Sequence, residues 1–593
     1  MESPNLPWKS RAAGALRTSP SPPGRRWYGP DWEPRPSQGK RGGARAPALT
    51  RSLPLRRPAP RTKAARARRR RRRGARHLAA AAAAAGQVLW LVLPASVPST
   101  PEKMKPRVTY QQLKTLPHPK DLCPGQAPQD FHCIVATAFL GTMLVAALLV
   151  HTFLFPFHGS TRGENVRTAS YLDDRCSDPC RIVLVESIPE GLAYEDNSTI
   201  SPSTFEAWAK LLADARSTVD IAAFYWTLQN KDTHTQDPSA SQGEEILAEL
   251  LKLSGRGIAT RIAVNPPSSR LPSTDLLALE ESGAQIRKVD LPRLTSGILH
   301  TKFWIVDQTH VYLGSANMDW RALTQVKELG VAVYNCSCLA RDLAKLFKAY
   351  WALGLPNATI PSPWPANFST PYNKEAPLAL QLNGTNAGVY LSSSPPALCA
   401  PGRTRDLEAV LSVIDGAQEF VYVAVMSYLP TMEFSHPRRF WPVIDDHLRK
   451  VAYERRVRVR LLVGCWKHSK ATMFPFLRSL AAMQDNRTRY SIEVRLFVVP
   501  ANETQARIPY ARVNHNKYMV SDQVAYIGTS NWSGDYFLHT AGSALVVNQS
   551  QVESGDQPTV RDQLEAVFER DWNSQYSREL NLLGQSGDLC GGH

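Results

Sequence analysis

Two short segments of the chain repeat the pattern His-x-Lys-x4-Asp, and a Gly-x-x-Asn follows each of them. The eight residues are His300, Lys302, Asp307 and Asn317 in the first copy, and His515, Lys517, Asp522 and Asn531 in the second. A single His-x-Lys tripeptide arises easily by chance on a protein surface. Two copies with the same spacing are not expected by chance, so we interpret each copy as half of one site.

The residue types fit the cleavage of a phosphodiester. Two ammonium groups and two carboxamides can bind phosphate oxygens and stabilise the charge of a pentacoordinate transition state. One histidine can attack phosphorus as a neutral nucleophile, while the other protonates the leaving oxygen and then activates water. The sequence does not assign these two roles. Because an ammonium group cannot ligate a cation and repels it, we expect no metal and no other cofactor.

Three acidic residues near the motifs have more than one interpretation. Asp307 and Asp522 lie at the ends of predicted strands, where they could hold the motif by hydrogen bonds rather than take part in chemistry. Glu328 could orient a histidine through the Nδ1 proton. The matching position of the second copy is Gly542, so the two halves are not equivalent.

The motifs lie in a duplicated α/β pattern. The predicted elements are strand 218–228, helix 243–253 and strands 260–264 and 286–289 in the first half, and strand 420–430, helix 443–453 and strands 457–463 and 492–499 in the second. On a strand, residues i and i+2 share a face, so the histidine and lysine of each copy point the same way. We predict two pseudo-symmetric α/β lobes with the active site between them.

The net charge of +18 is not a guide to what the folded part binds. Residues 1–130 carry a net charge of +21, which leaves −3 for residues 131–593. We predict that 1–132 is a disordered, basic cytosolic region. Within it, 1–103 could be optional, because Met104 opens a different composition, and the uncharged run 78–97 could instead belong to a signal peptide.

Residues 133–157 predict a transmembrane helix, because these 25 residues contain no Asp, Glu, Lys or Arg. A buried core helix is the alternative. Basic residues precede the run, which predicts a cytosolic amino terminus and a type II protein. They are Lys103, Lys105, Arg107, Lys114 and Lys120.

Glycosylation sequons and cysteines agree with that orientation. All the sequons follow the predicted span: Asn197, Asn335, Asn357, Asn367, Asn383, Asn486, Asn502, Asn531 and Asn548. Seven of the nine cysteines also follow it, where an oxidising lumen permits disulfides. The pairs Cys176/Cys180 and Cys336/Cys338 could instead bind zinc, although their spacing is not the usual one.

The doubled pattern with its downstream asparagine resembles the signature of the phospholipase D superfamily. The longer stretches HTKFWIVDQTHVYLGSANMDWRALTQVKELG, VESIPEG and RVNHNKYMV resemble the lumenal phospholipase D-like proteins. This resemblance covers essentially the whole chain from Met104 onward and does not extend to residues 1–103. The internal duplication predicts a first lobe at 163–360, a Pro-rich connecting region at 361–402 and a second lobe at 403–593.

The resemblance implies a lysosomal 5′-to-3′ exonuclease that acts on single-stranded DNA and RNA with 5′-hydroxyl ends at acidic pH. A transphosphatidylase that makes bis(monoacylglycero)phosphate, with lysophospholipid as partner, is attributed to the same group. The catalytic set carried over by motif is His300, Lys302, Asp307, His515, Lys517 and Asp522, with Asn317 and Asn531 at the phosphate and Glu328 supporting. A third reading, from another class, is a catalytically idle membrane glycoprotein, which the intact doubled motifs argue against.

The resemblance also implies how the protein is transported, processed and assembled. It implies delivery through endoplasmic reticulum, Golgi and late endosome, clipping to a soluble lysosomal form, and a homodimer. It further implies disulfides Cys176–Cys338, Cys180–Cys336 and Cys399–Cys590, with Cys465 as a buried thiol. Because Asn531 belongs to the phosphate site, we expect its sequon to carry no glycan.

The charge of the predicted lumenal part weighs against a nuclease, since proteins that bind single strands usually have a basic groove with stacking aromatic residues. The charge of the predicted lumenal part is close to neutral, although its histidines would gain charge in an acidic lumen. Aromatic residues near the motifs could stack bases or belong to the core. They are Phe224, Tyr225, Trp226, Trp320, Tyr510 and Trp532.

Overall fold

The computed structural model describes residues 176–195, 198–267, 273–549, 558–580 and 590. The cytosolic region and the transmembrane helix predicted at 133–157 lie outside these residues. Within the described ranges, no helix has the length and apolar character needed to cross a bilayer.

The first half of the described chain forms a seven-stranded sheet in the order β1-β9-β7-β6-β2-β4-β5. Strands β3 and β8 pair separately with each other. The strands are β1 Arg181–Ser187, β2 Thr218–Ala223, β3 Trp226–Thr227, β4 Ala259–Val264, β5 Gln285–Lys288, β6 Phe303–Val306, β7 His310–Gly314, β8 Met318–Asp319 and β9 Glu328–Tyr334.

The second half forms a ten-stranded sheet in the order β10-β11-β20-β19-β18-β13-β16-β17-β21, with β12 beside β11, while β14 and β15 pair separately. The strands are β10 Leu378–Leu382, β11 Thr385–Ser394, β12 Thr404–Arg405, β13 Phe420–Val425, β14 Thr431–Met432, β15 Arg439–Phe440, β16 Arg458–Cys465, β17 Ile492–Val498, β18 Lys517–Ser521, β19 Val524–Gly528, β20 Gly542–Asn548 and β21 Ser577–Glu579.

Thirteen α-helices are present in the described ranges. They are α1 Thr204–Asp214, α2 Asn230–Thr233, α3 Ser241–Lys252, α4 Thr274–Glu281, α5 Leu291–Thr295, α6 Arg321–Thr324, α7 Ser337–Leu353, α8 Asp406–Gly416, α9 Val443–Arg455, α10 Met473–Ala481, α11 Glu503–Arg507, α12 Gly534–Leu538 and α13 Val560–Asn573. Short 3₁₀ helices occupy Pro238–Ala240, Ser254–Arg256, Ala366–Phe368 and Pro396–Leu398.

The same strand order occurs in both sheets. The order β9-β7-β6-β2-β4-β5 of the first recurs as β20-β19-β18-β13-β16-β17 in the second. In each, the motif strand lies antiparallel to the corresponding neighbour: β6 pairs with β2, and β18 pairs with β13. The internal repeat predicted from the sequence is therefore present in the topology.

Strand composition explains where the core lies. Both β6 and β13 are buried along their whole length and consist of apolar residues, as expected for strands covered on both faces. One apolar cluster contains residues of both sheets, among them Phe303 and Leu313 of the first and Tyr518 and Ile527 of the second. The two sheets therefore share a core.

The Pro-rich region predicted as a connection, 361–402, contains β10 and β11. These strands join the second sheet, because β11 pairs antiparallel with β20 from Gly388↔Asn548 to Ser394↔Gly542. Neither strand was predicted from the sequence.

Two of the three expected disulfides are confirmed, and the third is wrong. Cys176 bonds Cys338 and Cys180 bonds Cys336. These four sulfur atoms lie within 4.8 Å of one another, which is close enough for a metal site. All four are bonded in the two disulfides, so none is a free thiolate that could bind zinc.

The third disulfide joins Cys590 to Cys465 rather than to Cys399. Cys465 ends β16 with its Cα 5.2 Å from that of Cys590, a separation that a disulfide spans without distortion. Cys399 is a free thiol whose Sγ lies 3.3 Å from the Ser393 hydroxyl. Which sulfurs meet depends on the folded positions of Cys399, Cys465 and Cys590, and sequence spacing does not encode those positions.

Candidate active site

Main chain from the opposite sheet holds each motif histidine in place. His300 lies just before β6, and its amide donates to the carbonyl of Ala541, beside the start of β20, at 2.9 Å. His515 lies just before β18, and its amide donates to the carbonyl of Lys327, beside the start of β9, at 2.8 Å. Each histidine is thus hydrogen-bonded to the sheet that carries the other histidine. These two hydrogen bonds bring the motifs together.

The motif lysines are almost fully buried, with 2% of Lys302 and 1% of Lys517 exposed. The ammonium group of Lys302 donates to the carbonyl of His300, and that of Lys517 donates to the carbonyl of His515 at 2.7 Å. Both ammonium groups lie close enough to His300 to lower its pKa, in addition to the effect of burial. Two positive charges in one buried site favour an anion and disfavour a divalent cation.

A tyrosine hydroxyl holds each motif asparagine. The Nδ2 of Asn317 donates to Tyr225 at 3.3 Å, and the Nδ2 of Asn531 donates to Tyr536 at 3.0 Å. A carboxamide nitrogen carries two hydrogens, so the second can reach a phosphate oxygen. Tyr536 was not predicted from the sequence, and Tyr225 was considered only as a stacking or core residue, because neither tyrosine has an equivalent in the other half.

Glu328 is bonded to one histidine only. Both carboxylate oxygens of Glu328 lie 2.9 Å from Nδ1 of His515, and 1% of Glu328 is exposed. Glu328 thus orients a histidine, as the sequence allowed, and that histidine is His515. Among the described residues, no carboxylate forms an equivalent pair with His300.

Packing explains the asymmetry between the halves. Glu328 is the first residue of β9, and Gly542 is the first residue of β20. A Cβ atom added to Gly542 would lie 2.2 Å from the hydroxyl of Ser530 and 3.0 Å from that of Ser394. No side chain fits at that position without movement of its neighbours, so the second half cannot supply a carboxylate there.

The hydrogen bond fixes the tautomer of His515. A carboxylate is an acceptor, so Nδ1 of His515 carries the proton, and the lone pair of neutral His515 is on Nε2. Burial lowers the pKa of His515, and Glu328 opposes that shift. Burial also lowers the pKa of His300, and there the lysine charges of the site act in the same direction. The lowered pKa values favour two neutral imidazoles.

Asp307 and Asp522 are not in contact with the reacting groups. Each lies at the far end of its strand, so Asp307 is roughly 16 Å from Lys302 at about 3.3 Å per residue. Their carboxylates accept main-chain amides at 2.7 to 3.4 Å: those of Arg216, Ser217 and Thr218 for Asp307, and those of Gln418, Glu419 and Phe420 for Asp522. They bind the motif strand to the start of its neighbour, which is the hydrogen-bonding role considered from the sequence.

Aromatic side chains surround His300. Its ring lies 5.2 Å from that of Phe224 and 5.1 Å from that of Tyr536. Tyr536 in turn contacts Phe434 edge to face at 5.8 Å, and 40% of Phe434 is exposed. This aromatic group, Phe224, Tyr536 and Phe434, lines one side of the site.

The aromatic residues considered in the sequence analysis divide into two groups. Trp226, Trp320 and Trp532 are at most 2% exposed and belong to the core. Tyr225 and Tyr510 are half-buried. Of the aromatic residues considered from the sequence, only Tyr225, Tyr510 and Phe224 could therefore contact a ligand.

Comparison with known proteins gives one family. The family described as "PLD3/4, PLD-like domain" matches residues 195–502. The 5'-3' exonuclease PLD3 of Xenopus tropicalis is 58% identical over 82% of this chain and 100% of its own length. The human 5'-3' exonuclease PLD3 is 55% identical over 82% of this chain and 99% of its own. The human 5'-3' exonuclease PLD4 is 49% identical over 73% of this chain and 85% of its own.

Proposed function

The chain belongs to the phospholipase D-like family, in its PLD3/4 group, and from that membership we propose that it is a 5′-to-3′ exonuclease. Its substrates are single-stranded DNA and RNA with 5′-hydroxyl ends. Relatives that bear the name 5'-3' exonuclease share 49% to 58% of its residues over most of their length. The observation that carries the mechanism is the hydrogen bond from His515 to Glu328, which makes the two histidines chemically different.

The scissile phosphate binds between the two lysines. Each phosphodiester carries one negative charge, which the ammonium groups of Lys302 and Lys517 neutralise. The carboxamides of Asn317 and Asn531 donate to its non-bridging oxygens. We take the two sheets as related lobes, each of which supplies one histidine, one lysine and one asparagine.

His515 is the nucleophile in the first step. Its Nε2 lone pair forms the N–P bond, and the P–O5′ bond to the following nucleotide breaks. His300 donates a proton to the departing O5′. The phosphohistidine carries a positive charge on the ring, and Glu328 stabilises that charge through the Nδ1 proton.

The second step reverses these roles. Neutral His300 removes a proton from water, the oxygen of that water forms a bond to phosphorus, and the N–P bond breaks. The product is a nucleotide with a 3′-phosphate, and His515 returns to its neutral form. The lysines remain protonated throughout and stabilise the charge of both transition states.

Substrate binding favours protonation of His300 by solvent. Burial, Lys302, Lys517 and His515 all lower the pKa of His300. An anionic phosphate offsets the two lysine charges and so raises that pKa. Protonation of His300 is therefore coupled to binding, and an acidic medium favours it.

Phosphatidyl transfer to a lysophospholipid is the second candidate. It needs an apolar surface beside the site, and the exposed part of Phe434 provides one next to Tyr536 and His300. A phosphohistidine formed from a lipid would be attacked by an alcohol instead of water. The exonuclease remains the better proposal because it agrees with the names of the relatives.

The cellular setting is also a proposal. We propose a type II protein anchored by helix 133–157, which passes through the endoplasmic reticulum, the Golgi and late endosomes. A soluble, clipped form would then act in the lysosome lumen. Homodimer formation is proposed on the family resemblance alone.

The test uses the purified full-length protein and a short single-stranded DNA with a 5′-hydroxyl end, at pH 5 and pH 7, with and without chelator. We expect stepwise shortening from the 5′ end that survives chelation and is absent in His515→Ala. A matched DNA with a blocked 5′ end should stay intact. Failure to shorten the DNA, with transfer to lysophospholipid by the same sample, would favour the second candidate.

A further inference from the structure

The residue before Glu328 is Lys327, whose side chain lies in a buried cluster of four charges. Its ammonium group is 3.1 Å from Glu186 and 3.0 Å from Asp571. Arg570 is 2.6 Å from Glu186 and 2.8 Å from Asp571. No side chain of this charge quartet is more than 4% exposed. Two cations and two anions leave the quartet neutral.

The charge quartet joins three separate parts of the chain. Glu186 belongs to β1, Lys327 immediately precedes β9, and Arg570 and Asp571 belong to α13. Burial by itself would raise the pKa of Glu186, but Lys327 and Arg570 outweigh it and lower that pKa to about 2. Removal of one member would leave one buried charge uncompensated, so each member stabilises the others.

The main chain of Lys327 holds the segment that carries His515. The Lys327 amide donates to the carbonyl of Val513 at 2.9 Å, and its carbonyl accepts the amide of His515 at 2.8 Å. Successive side chains of an extended chain point in opposite directions. Lys327 therefore points into the charge quartet, while Glu328 points toward the imidazole of His515.

The other half builds the same junction without these side chains. Ala541 and Gly542 replace Lys327 and Glu328 there, and the carbonyl of Ala541 still accepts the amide of His300. The junction between the sheets therefore does not require a lysine and a glutamate. Both occur only on the side of the histidine that forms a carboxylate pair.

We infer that Lys327 is a positioning residue for His515, which it holds through the main chain and through Glu328, with the charge quartet as its anchor. This inference rests on the proposed role of His515 as nucleophile. It adds to the pair of His515 and Glu328 a buried set of charges that positions the pair without contacting the substrate.

The test replaces Lys327 with methionine in the full-length protein. We expect kcat on the 5′-hydroxyl DNA to fall about 10- to 100-fold, because misplacement of a reacting group by about 1 Å has effects of that size. KM should change little, since Lys327 does not touch the substrate. Because a displaced Glu328 would raise the pKa of His515 less, the acidic limb of the kcat profile should move to lower pH.

A second variant separates positioning from folding. Lys327→Met/Asp571→Asn leaves Arg570 and Glu186 as a neutral pair, so it should regain thermal stability without regaining kcat. Recovery of wild-type kcat and of the wild-type pH profile by this double variant would overturn the inference. If the single variant fails to fold, the double variant provides the test.

The matched control is Arg403→Met, because Arg403 and Asp342 form another buried pair, with Nη1 2.5 Å from the carboxylate. This variant should lower Tm and leave the pH profile of kcat unchanged. A shift as large as that of Lys327→Met would make the effect a general result of lost stability and would refute positioning.

An NMR measurement separates the inference from the proposed activity. The Nδ1 proton of His515 should give a hydrogen-bonded signal in the wild type that is lost or moved in Lys327→Met. An inactive wild type with that difference would contradict the exonuclease and keep the positioning. An active wild type with no difference in the signal would contradict the positioning alone.

Discussion

Replacement of Glu328 by glutamine keeps the size of the side chain and removes the negative charge beside His515. Oε1 of glutamine can still accept the Nδ1 proton, so the tautomer is kept. What is lost is the interaction between a carboxylate and the positive charge that develops on His515 when the N–P bond forms. The variant therefore separates charge stabilisation from orientation.

The size of the effect follows from the burial of the pair. Both carboxylate oxygens lie 2.9 Å from Nδ1, and Glu328 is 1% exposed, so water does not screen the interaction. A hydrogen bond to a charged group contributes about 1.5–3 kcal/mol. At about 1.4 kcal/mol per factor of ten, kcat should fall about 10- to 100-fold. KM should be nearly unchanged, because Glu328 does not contact the substrate.

The pH dependence has a definite sign. The nucleophile must be neutral, so activity is lost as pH falls through the pKa of His515. Glu328 raises that pKa against the effect of burial. Its removal lowers the pKa further, so the acidic limb of kcat should move to lower pH.

The assay measures kcat and KM from pH 4 to pH 8 on a 5′-hydroxyl DNA with the full-length protein. Asp220→Asn is the matched control, because Asp220 is another buried carboxylate, 2.6 Å from Arg261 and outside the site. The control should keep the wild-type profile. A Glu328→Gln protein with wild-type kcat and an unmoved acidic limb would refute the assignment of His515 as nucleophile.

Three further predictions concern stability and binding. Asp307→Asn weakens main-chain hydrogen bonds at the far end of its strand, so unfolding should become about 1–3 kcal/mol easier while kcat stays near wild type; denaturant titration and kinetics check this. Because hydrogen bonding lowers the pKa of Asp307, its contribution to stability should be lost only as pH falls below the usual carboxylate range. Cys590→Ser should lower stability by about 2–4 kcal/mol, whereas Cys399→Ser should have little effect on Tm, which thermal unfolding without reductant can compare. Burial, Lys302 and Lys517 lower the pKa of His300, and a bound anion offsets the two lysine charges, so inorganic phosphate should raise Tm more at pH 5 than at pH 7.

The parts of the fold that depend on neighbouring residues in the sequence could be predicted. The motif strands β6 and β18 were found because their apolar runs follow a repeated motif, and the helix and later strands of each half lie close to the predicted bounds. The opening strands, predicted as 218–228 and 420–430, are shorter and end at Ala223 and Val425. Strands β10 and β11 were missed, because proline and polar residues surround their apolar positions. Their place beside β20 depends on a pairing distant in sequence.

The candidate site shows the same limit. The histidines, lysines and asparagines were found by their repeated spacing. The partner of Glu328 was left open, because Glu328 belongs to one half and His515 to the other, and only the fold brings them together. Asp307 and Asp522 show the opposite limit. They belong to the repeated motif, but they lie one strand length away from the lysines.

The most direct test of the account is to identify the histidine that binds phosphorus. A nucleoside 3′-(4-nitrophenyl phosphate) needs no general acid, because nitrophenolate leaves without a proton. With His300→Ala, we predict a burst of nitrophenolate and a nucleotidyl phosphoramidate on the peptide that contains His515, detected by mass spectrometry after rapid denaturation at alkaline pH. His515→Ala should give neither. A burst and an adduct on His300 in the His515→Ala protein would contradict the account.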